Sequence, residues 1–271
     1  MNDSDAAGAT VFDDRLAEFA RWQDSPWGRL RYTVAAANLA RHLHREPQSI
    51  LDLGGGNGRE AVMLAEHGHH VTIADISEPS LTQARRHAAD RGVTDRLTTR
   101  VCDIFTVAEE FGPSTMDAVL VHNVLQYLPD TIDTATTLTG LTTLVRPGGL
   151  ISLLAPNADA DPILTALRTL DLDEALRQLD SPTRYSGAYQ TRTRACRAAD
   201  MTTILARAGI PEVHHYGIRA VCDAITDDDL KTDPDFYHKL ERLELAMTDR
   251  APYRDTARFF QLIAEKPAET T

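Results

Sequence analysis

The sequence predicts an α/β fold in which a mostly parallel β-sheet carries helices on both faces. Short apolar runs alternate along the chain with helical patterns, and this alternation produces parallel sheets with right-handed crossovers. A glycine-rich turn joins the first strand to the helix that follows it. Acidic or polar residues end several strands, at the edge of a parallel sheet where ligands bind. These observations predict a single domain over residues 1–271 with a ligand site at that edge.

The residues ahead of the first strand predict a tail and two helices. Residues 1–10 predict a disordered tail, and 12–45 predict helices, which in folds of this type often close over the ligand site as a lid. Phe12–Trp22 places apolar residues on one helix face, and Leu30–Leu43 resumes helical character after the break at Ser25-Pro26-Trp27-Gly28.

The glycine-rich turn follows a buried strand. Ile50–Leu53 is a short apolar run typical of a parallel strand, and Gly54, Gly56 and Gly58 precede a helical pattern that begins at Arg59. Because glycine has no Cβ, a ligand can approach the backbone and the N–H groups at the helix start. The spacing excludes a dinucleotide fingerprint, which needs a glycine at 59, and a phosphate loop, which needs a Lys-Ser or Lys-Thr pair.

The alternation continues and defines a core over residues 46–156. Its further elements are a strand at Val71–Asp75, a helix capped by Ser77 and reaching Asp90, a strand at 97–101, a short helix at 105–111, a strand at Met116–Val121, a helix at Thr131–Val145 and a strand at Leu150–Leu154.

The rest of the chain predicts an inserted cap and the end of the sheet. Within 157–199, a helical stretch at Ile163–Leu179 and a polar, arginine-bearing run at Ser181–Arg197 predict a helical cap over the acceptor pocket. Residues 200–266 complete the sheet. The predicted elements are a helix at 199–208, a strand at Glu212–Val221, a helix at Phe236–Met247 and a strand at Ala257–Ala264.

Two further acids follow strands at informative positions. Asp75 ends the second strand, twenty-one positions after Gly54, where a carboxylate can accept both hydroxyls of an adenosine ribose. Asp103 follows the third strand and precedes the apolar Ile104. Together with the glycine turn, these acids indicate a site for an adenosine-containing cofactor.

The pattern Asp52-x-Gly54-x-Gly56-x-Gly58 resembles the first motif of the class I S-adenosylmethionine-dependent methyltransferases. The resemblance implies a Rossmann-like, seven-stranded, mostly parallel sheet whose last two strands are antiparallel. It implies S-adenosyl-L-methionine as cofactor and S-adenosyl-L-homocysteine as product. In that family an acid at the position of Asp103 meets the adenine amino group, and its apolar neighbour covers the ring.

From Phe12 to about Lys266 the chain also resembles the bacterial tRNA methyltransferases that esterify 5-carboxymethoxyuridine at the wobble position. The resemblance is carried by Phe12-Asp13-Asp14, Gly28-x-Leu30-Arg31, the glycine turn, Asp75-x-Ser77, His122-x-Val124-Leu125, Arg146-Pro147-Gly148-Gly149, Asn157 and Gly217-x-Arg219-x-x-x-Asp223. The cofactor contacts that the resemblance implies are Arg31, Asp52, Gly54, Gly55, Gly56, Asp75, Ile76, Asp103, Ile104 and His122.

Departures from this family fall on the acceptor side. Gln23 stands where the family has a tyrosine, and Gln126-Tyr127 stands where it has a Glu-Trp pair. The cap after Asn157 is unrelated to the family, and the lysine-rich run that members can carry is absent. Cofactor use therefore transfers from the family, whereas the tRNA substrate does not.

The candidate acceptor-binding residues are Asn123, Tyr127, Asn157 and Arg219. A carboxylate acceptor needs a cation, which Arg219 with Arg192 or Arg194 of the cap supplies. An amine or hydroxyl acceptor needs a base, and His122 is the candidate catalytic residue. The alternative for His122 is a cofactor contact or packing at the strand end.

Composition restricts the class of partner. A net charge of −12 with only three lysines disfavours a large polyanionic substrate. No apolar stretch reaches the eighteen residues of a membrane span, and three scattered cysteines indicate reduced thiols in the cytoplasm. No Cys/His spacing predicts a metal site, and the cluster of His67, His69 and His70 predicts a solvated helix end.

The sequence therefore predicts a methyltransferase that acts on an oxygen or nitrogen of a small-molecule acceptor, a carboxylate or natural-product intermediate among them. One alternative is tRNA carboxyl methylation. Another is a protein of this fold that binds the cofactor without methyl transfer, as a binding protein or a cyclase. The sequence allows a homo-oligomer and gives no indication of a membrane partner.

Overall fold

A seven-stranded sheet with helices on its faces forms the centre of the computed structural model, which describes residues 15–187 and 190–268. The predicted tail at 1–10 and the start of the predicted first helix at Phe12 lie outside the described residues. The α-helices are α1 (Leu16–Asp24), α2 (Pro26–Leu39), α3 (Arg59–Glu66), α4 (Glu78–Asp90), α5 (Val107–Phe111), α6 (Thr134–Thr142), α7 (Asp161–Thr169), α8 (Leu172–Leu179), α9 (Ala198–Arg207) and α10 (Pro234–Met247). The strands are β1 (Ser49–Leu53), β2 (His70–Asp75), β3 (Leu97–Val101), β4 (Met116–His122), β5 (Val145–Pro156), β6 (Thr183–Ser186), β7 (Thr191–Arg194), β8 (Val213–Ile218) and β9 (Phe259–Glu265).

The strand order is β3-β2-β1-β4-β5-β9-β8. Strands β1 to β5 run parallel, whereas β9 lies antiparallel to both β5 and β8. This arrangement confirms the predicted seven-stranded, mostly parallel sheet with an antiparallel final pair. Because β1 lies between β2 and β4, the order reverses there and opens a crevice beyond the strand ends.

The register brings the ends of the central strands together. Leu53 of β1 pairs with Ala74 of β2 on one side and with Val121 of β4 on the other. The next residues along β2 and β4, Asp75 and His122, therefore finish at the same edge as the glycine turn.

The core consists of two apolar layers, one on each face of the sheet. Successive strand residues point to opposite faces, so Val119 and Val121 of β4 join one buried cluster while Ala118 and Leu120 join another. A third cluster packs α2 and α10 against the end of β9, with Leu30, Val34, Leu240 and Phe259 among its members. This packing fixes α2 beside the crevice.

The cap differs from the predicted helical one. Helices α7 and α8 occupy its first part, but the polar run at Ser181–Arg197 contains a hairpin in which Thr183 pairs with Arg194 and Ser186 with Thr191. Helix α6 is shorter than predicted because Asp133 accepts the N–H of Thr136 and caps the helix there.

Two further features bear on the sequence-based expectations. His69 is buried and accepts the N–H of Gln48 at Nδ1 (3.3 Å), so the expected solvated histidine cluster is wrong at this position. No helix among the described residues is long and apolar enough to cross a membrane.

Candidate functional site

A cavity of about 940 Å³, the central cavity, lies at the carboxyl ends of β1 to β4, between the lid helices and the cap hairpin. It brings together every predicted site residue except Asn157. The predicted residues that line it are Arg31, Asp52, Gly54, Gly55, Gly56, Asp75, Ile76, Asp103, Ile104, His122, Asn123, Tyr127 and Arg219.

The glycine turn is required by close packing. A Cβ at Gly54 would lie 2.4 Å from Cγ2 of Val124, and a Cβ at Gly55 would lie 2.4 Å from Oδ2 of Asp52. Gly54 also has a φ of +69°, a left-handed conformation that other residues adopt at a cost. Side chains at either position would fill the cradle between β1 and β4.

The carboxylate of Asp75 is fixed by backbone donors. Its Oδ2 accepts the N–H of Gly56 (2.9 Å) and its Oδ1 accepts the N–H of Ser77 (2.8 Å), the residue that caps α4. Two backbone bonds thus orient it at the cavity wall.

A largely buried trio of Glu60, Arg31 and His122 lies beside the glycine turn. Glu60, on the first turn of α3, pairs with Nη1 of Arg31 (3.1 Å) and with Nδ1 of His122 (3.0 Å). Burial alone would raise the pKa of the Glu60 carboxyl, but the charges of Arg31 and His122 outweigh it and lower the pKa to about 2. Sequence reasoning missed Glu60, since a glutamate in a first helical turn ordinarily complements the helix dipole.

Asp52 carries the second buried carboxyl of this wall. Its Oδ2 has no hydrogen-bond partner among the described residues. Burial first, and then the negative charge of Glu60, raise the pKa of Asp52 well above its usual range. The buried Nε of Arg31 is likewise without a partner within the described chain. The carboxyl of Asp52 and the guanidinium of Arg31 are therefore groups of this wall that can hydrogen-bond to a ligand.

His122 has both ring nitrogens engaged. Besides Glu60 at Nδ1, its Nε2 lies 2.8 Å from Oγ of Ser152, which also accepts a hydrogen bond from Gln261 (3.2 Å). The predicted base at this position thus belongs to a buried polar network. Such an arrangement favours a positioning role over proton transfer from an acceptor.

The side of the cavity that is predicted to meet the adenosine is built on the turn after β3. Oδ1 of Asp103 accepts the N–H of Phe105 (2.9 Å), which fixes the carboxylate, and Ile104 packs against the buried core. Phe105 itself is 47% exposed and lines the cavity. An acid beside apolar side chains suits a ring with a polar edge.

The lid is fastened to the glycine turn by a buried amide pair. Gln23 at the end of α1 donates from Nε2 to Oδ1 of Asn57 (3.1 Å) and accepts from Nδ2 of Asn57 at its Oε1 (2.7 Å). Its Nε2 also donates to the hydroxyl of Tyr32 (2.6 Å). Sequence analysis noted Gln23 as a departure but not this partner, because the pairing joins residues thirty-four positions apart.

The segment after β4 supplies polar groups to the acceptor side. Asn123 has a φ of +59°, and its buried Oδ1 has no hydrogen-bond partner among the described residues. Oε1 of Gln126 is also buried and has no hydrogen-bond partner among the described residues. The hydroxyl of Tyr127 lies 3.2 Å from Oγ of Ser186 in the cap hairpin. The unpartnered oxygens of Asn123 and Gln126 are hydrogen-bond acceptors, so they suit a ligand that can donate hydrogen bonds.

The opposite wall of the acceptor side is formed by a group of five charged side chains, the arginine cluster. It consists of Arg184, Arg219, Arg258, Asp161 and Asp223. Nε of Arg184 donates to Oδ2 of Asp161 (2.8 Å), and Nη1 of Arg258 donates to Oδ1 of the same residue (2.8 Å). Arg219 donates to Asp223 from both Nε (2.7 Å) and Nη2. Nη1 of Arg219 is buried and has no hydrogen-bond partner within the described chain.

The arginine that joins Arg219 is therefore Arg184, not Arg192 or Arg194 as expected. Arg194 donates to the backbone oxygen of Ile132 (2.7 Å) and to Oγ1 of Thr134 (2.7 Å), and neither Arg192 nor Arg194 lines the central cavity. Alternate residues of a strand point to opposite faces. The hairpin decides which face each arginine occupies, and the sequence alone did not reveal this hairpin.

Asn157 lies outside the cavity lining. Its Nδ2 donates to the backbone oxygens of Asp255 (2.9 Å) and Ala257 (3.1 Å), and its Oδ1 accepts the N–H of Asp159 (3.1 Å). The side chain thus ties the end of β5 to the segment before β9. Its geometry is that of a structural residue and does not bring it to an acceptor.

The cofactor implied by the sequence fits the side chains present. A zwitterionic amino-acid end matches Arg31 together with the carboxyls of Asp52 and Glu60, and the Cβ position at Gly56 has no protein atom within 4 Å, so the backbone there is open to a ligand. Asp75 and Asp103 provide the acceptors that a ribose and an adenine amino group need. Within the described residues, no cluster of His, Cys, Asp and Glu forms a metal site.

Comparison with known proteins agrees with this geometry. A family model described as a methyltransferase domain matches residues 50–149. The tRNA 5-carboxymethoxyuridine methyltransferase of Escherichia coli (strain K12) is 28% identical over 261 residues, which cover 94% of this chain and 96% of that protein.

Solved structures share the fold. The 1,6-didemethyltoxoflavin-N1-methyltransferase of Burkholderia thailandensis, with bound 1,6-didemethyltoxoflavin and S-adenosylhomocysteine, matches with a TM-score of 0.56 at 18% identity and covers 98% of this chain and 91% of that chain. The 4+2 cyclase SpnF matches with a TM-score of 0.54 at 18% identity, over 89% of this chain and 81% of that chain.

Proposed function

We propose that this chain, which is a class I S-adenosylmethionine-dependent methyltransferase, methylates a carboxylate oxygen of a small-molecule acceptor. The arginine cluster carries the proposal. Its three guanidinium groups and two carboxylates sum to a charge of +1. The unpartnered Nη1 of Arg219 is a buried donor at the cavity wall, and a carboxylate is the acceptor that matches it.

The engagement of both ring nitrogens of His122 supports a carboxylate over a hydroxyl or an amine. When bound, S-adenosylmethionine would supply a sulfonium methyl group for in-line transfer to the acceptor oxygen, with S-adenosylhomocysteine as the leaving group. A carboxylic acid with a pKa near 4 is ionised at neutral pH and needs no proton removed. Because both nitrogens of His122 are already hydrogen-bonded, the nearby histidine is poorly arranged to deprotonate an acceptor.

The residues of this chain then contribute position and water exclusion. In the proposal, Arg31 and Glu60 hold the amino-acid end of the cofactor, and Asp75 and Asp103 hold its adenosine. Arg219 orients the acceptor carboxylate, and the lid residue Gln23 keeps α1 over the reacting groups. Orientation and exclusion of solvent are the main contributions such a displacement requires.

The second candidate function is tRNA carboxyl methylation, which the E. coli relative favours because the match extends over nearly the full length of both chains. The chemistry would be the same ester formation. The net charge of −12 and the three lysines support the small acceptor instead, since binding to RNA phosphates needs a basic surface. A cytoplasmic location is part of either proposal.

The test compares acceptors with one labelled cofactor. The protein is incubated with methyl-labelled S-adenosylmethionine and a carboxylic acid panel, a small-molecule cell extract, or tRNA lacking only the wobble methyl ester. The proposal predicts label in small molecules that mild alkali releases as methanol, because esters hydrolyse and N- or O-alkyl groups do not. Alkali-stable label would contradict carboxylate methylation, and efficient transfer to tRNA would establish the second candidate.

A variant links the activity to Arg219. Arg219→Lys keeps the charge opposite Asp223 but loses the forked donor, so we expect the acceptor KM to rise about tenfold or more while the Kd for S-adenosylhomocysteine stays unchanged. Arg207→Lys, at the exposed end of α9, is the matched control. An unchanged acceptor KM in Arg219→Lys would remove the arginine cluster from the mechanism. Cofactor binding without label in any acceptor would instead favour a cofactor-binding protein or a cyclase.

A further inference from the structure

A second cavity of about 430 Å³, the side cavity, lies behind the arginine cluster. Its walls come from the lid helices, from α7 and from the segment between β8 and α10. The residues that line it are Trp22, Trp27, Asp161, Leu164, Thr165, Arg168, Thr169, Arg219, Cys222, Asp223, Asp228, Lys231 and Arg258. Its volume falls within the range of small-molecule sites, about 300–1,000 Å³.

The side cavity and the central cavity share part of their walls. Trp22, Arg219, Asp223 and Arg258 line both of them. The two spaces therefore meet at these four side chains, of which three carry a charge. A ligand whose reacting group lies at Arg219 in the central cavity would have to extend past them to reach the side cavity.

The charges of the side cavity favour an anion. Four cationic side chains line it against three carboxylates, which leaves a charge of +1. Asp161 and Asp223 already accept bonds from Arg184, Arg219 and Arg258, so Asp228 is the remaining lining carboxylate for Lys231 and Arg168. A further anion in the side cavity would balance these two cations.

Lys231 gives the side cavity its most unusual group. Its side chain is only 2% exposed, and the bond from Nζ goes to Asp228 (2.7 Å), a carboxylate that is itself 53% exposed. The ammonium lies 5.5 Å from the ring centre of Trp27. Burial of an ammonium is costly unless it is well paired, and Nζ has three N–H donors. Asp228 is solvated and satisfies the ammonium only in part, so a ligand anion would supply a further partner.

We infer that the side cavity binds a second acidic group of the acceptor, so that the substrate class is a dicarboxylic acid or a similar dianion with an apolar body against Trp22 and Trp27. The inference rests on the proposed function and extends it. One acid lies at the central-cavity face of Arg219 and receives the methyl group. The other lies between Lys231 and Arg168 and fixes the length of the molecule.

The experiment uses the full chain saturated with S-adenosylhomocysteine. Calorimetry measures the Kd of α,ω-dicarboxylates from malonate to azelate, each against the monocarboxylate with the same number of carbons. We expect one chain length to bind at least tenfold more tightly than its monocarboxylate. Lys231→Met should abolish that preference and leave the Kd of the monocarboxylate and of S-adenosylhomocysteine unchanged.

Two further variants keep the test decisive. Lys239→Met removes the same charge from an exposed position on α10 and should preserve the preference. Arg168→Met, at an exposed position on α7 where Nη1 donates to the backbone oxygen of Asp223 (2.6 Å), should weaken the preferred dicarboxylate several-fold. The inference is overturned if no chain length is preferred, or if the preference survives both Lys231→Met and Arg168→Met.

The failure of this inference is distinguishable from that of the proposed function. Binding is measured without turnover, so dicarboxylate preference is tested even if no acid is methylated. A preference abolished by Lys231→Met together with no alkali-labile label would refute carboxylate methylation alone. Alkali-labile methylation of monocarboxylates and dicarboxylates with equal KM would refute the side cavity alone.

Discussion

Removal of the charge of Glu60 tests the buried trio that lies beside the glycine turn. The pKa of Glu60 is about 2, against an ordinary value of 4.5, and this difference of about 2.5 corresponds to about 3 kcal/mol of stability at pH 7. The loss of one partner from a buried ion pair costs a similar 3–5 kcal/mol in other proteins. Glu60→Gln should therefore lower the free energy of unfolding by about 3 kcal/mol at pH 7.

The pH dependence has a definite sign. The folded-state pKa of Glu60 lies below the unfolded-state value, so its stabilisation is complete above pH 4.5 and is lost as the pH falls toward 2. Urea unfolding followed by tryptophan fluorescence should show a difference between wild type and Glu60→Gln that falls to less than half at pH 3.

The control is Glu66→Gln on the same helix. Glu66 pairs with Arg91 at 3.0 Å on the exposed surface, where an ion pair contributes about 0–1 kcal/mol. If Glu60→Gln lost no more stability than Glu66→Gln, or if its loss did not depend on pH, the electrostatic account of the trio would be wrong.

Three other predictions follow from close contacts and burial. Gly55→Ala places a Cβ 2.4 Å from Oδ2 of Asp52 and should weaken S-adenosylhomocysteine at least tenfold by calorimetry; retained affinity would show that the cradle tolerates a side chain. Gln23→Ala leaves the buried amide of Asn57 unpaired, which should cost about 1–3 kcal/mol in urea unfolding and speed proteolysis of the lid; unchanged cleavage would contradict the fastening. Burial raises the pKa of Cys102 to about 12 and those of the other two cysteines to about 11, so none should react with iodoacetamide at pH 8 until urea is added, as counted by mass spectrometry; rapid alkylation of the native protein would refute this.

The sheet and the cofactor side could be predicted from the sequence because their signals are local. Each signal belongs to a strand or its end, namely the apolar run at Ile50–Leu53, the glycines after it and the acid of Asp75. Parallel topology then brings all these strand ends to one edge of the sheet. The antiparallel final pair followed from family resemblance and not from the residues themselves.

The acceptor side could not be predicted because its contacts join residues that are distant along the chain. The sequence pattern at 183–194 indicates a polar run and not a hairpin, because the strands have only four residues each and little apolar alternation. Its register decides that Arg184, and not Arg192 or Arg194, reaches Asp161. Asn157 was predicted to bind the acceptor because a polar residue at a strand end is typical of a ligand site. Its tertiary hydrogen bonds, which give it a structural role, cannot be seen in the sequence.

The central claim is that the acids after β2 and β3, with the glycine turn, hold the adenosine and amino-acid ends of the cofactor. Isothermal calorimetry with S-adenosylhomocysteine on wild type, Asp75→Ala and the exposed control Asp90→Ala tests it most directly. Hydrogen bonds to a charged carboxylate contribute about 1.5–3 kcal/mol each, so Asp75→Ala should bind at least tenfold more weakly while Asp90→Ala binds as wild type does. Absence of heat with the wild type, or an equal Kd for Asp75→Ala, would contradict the account.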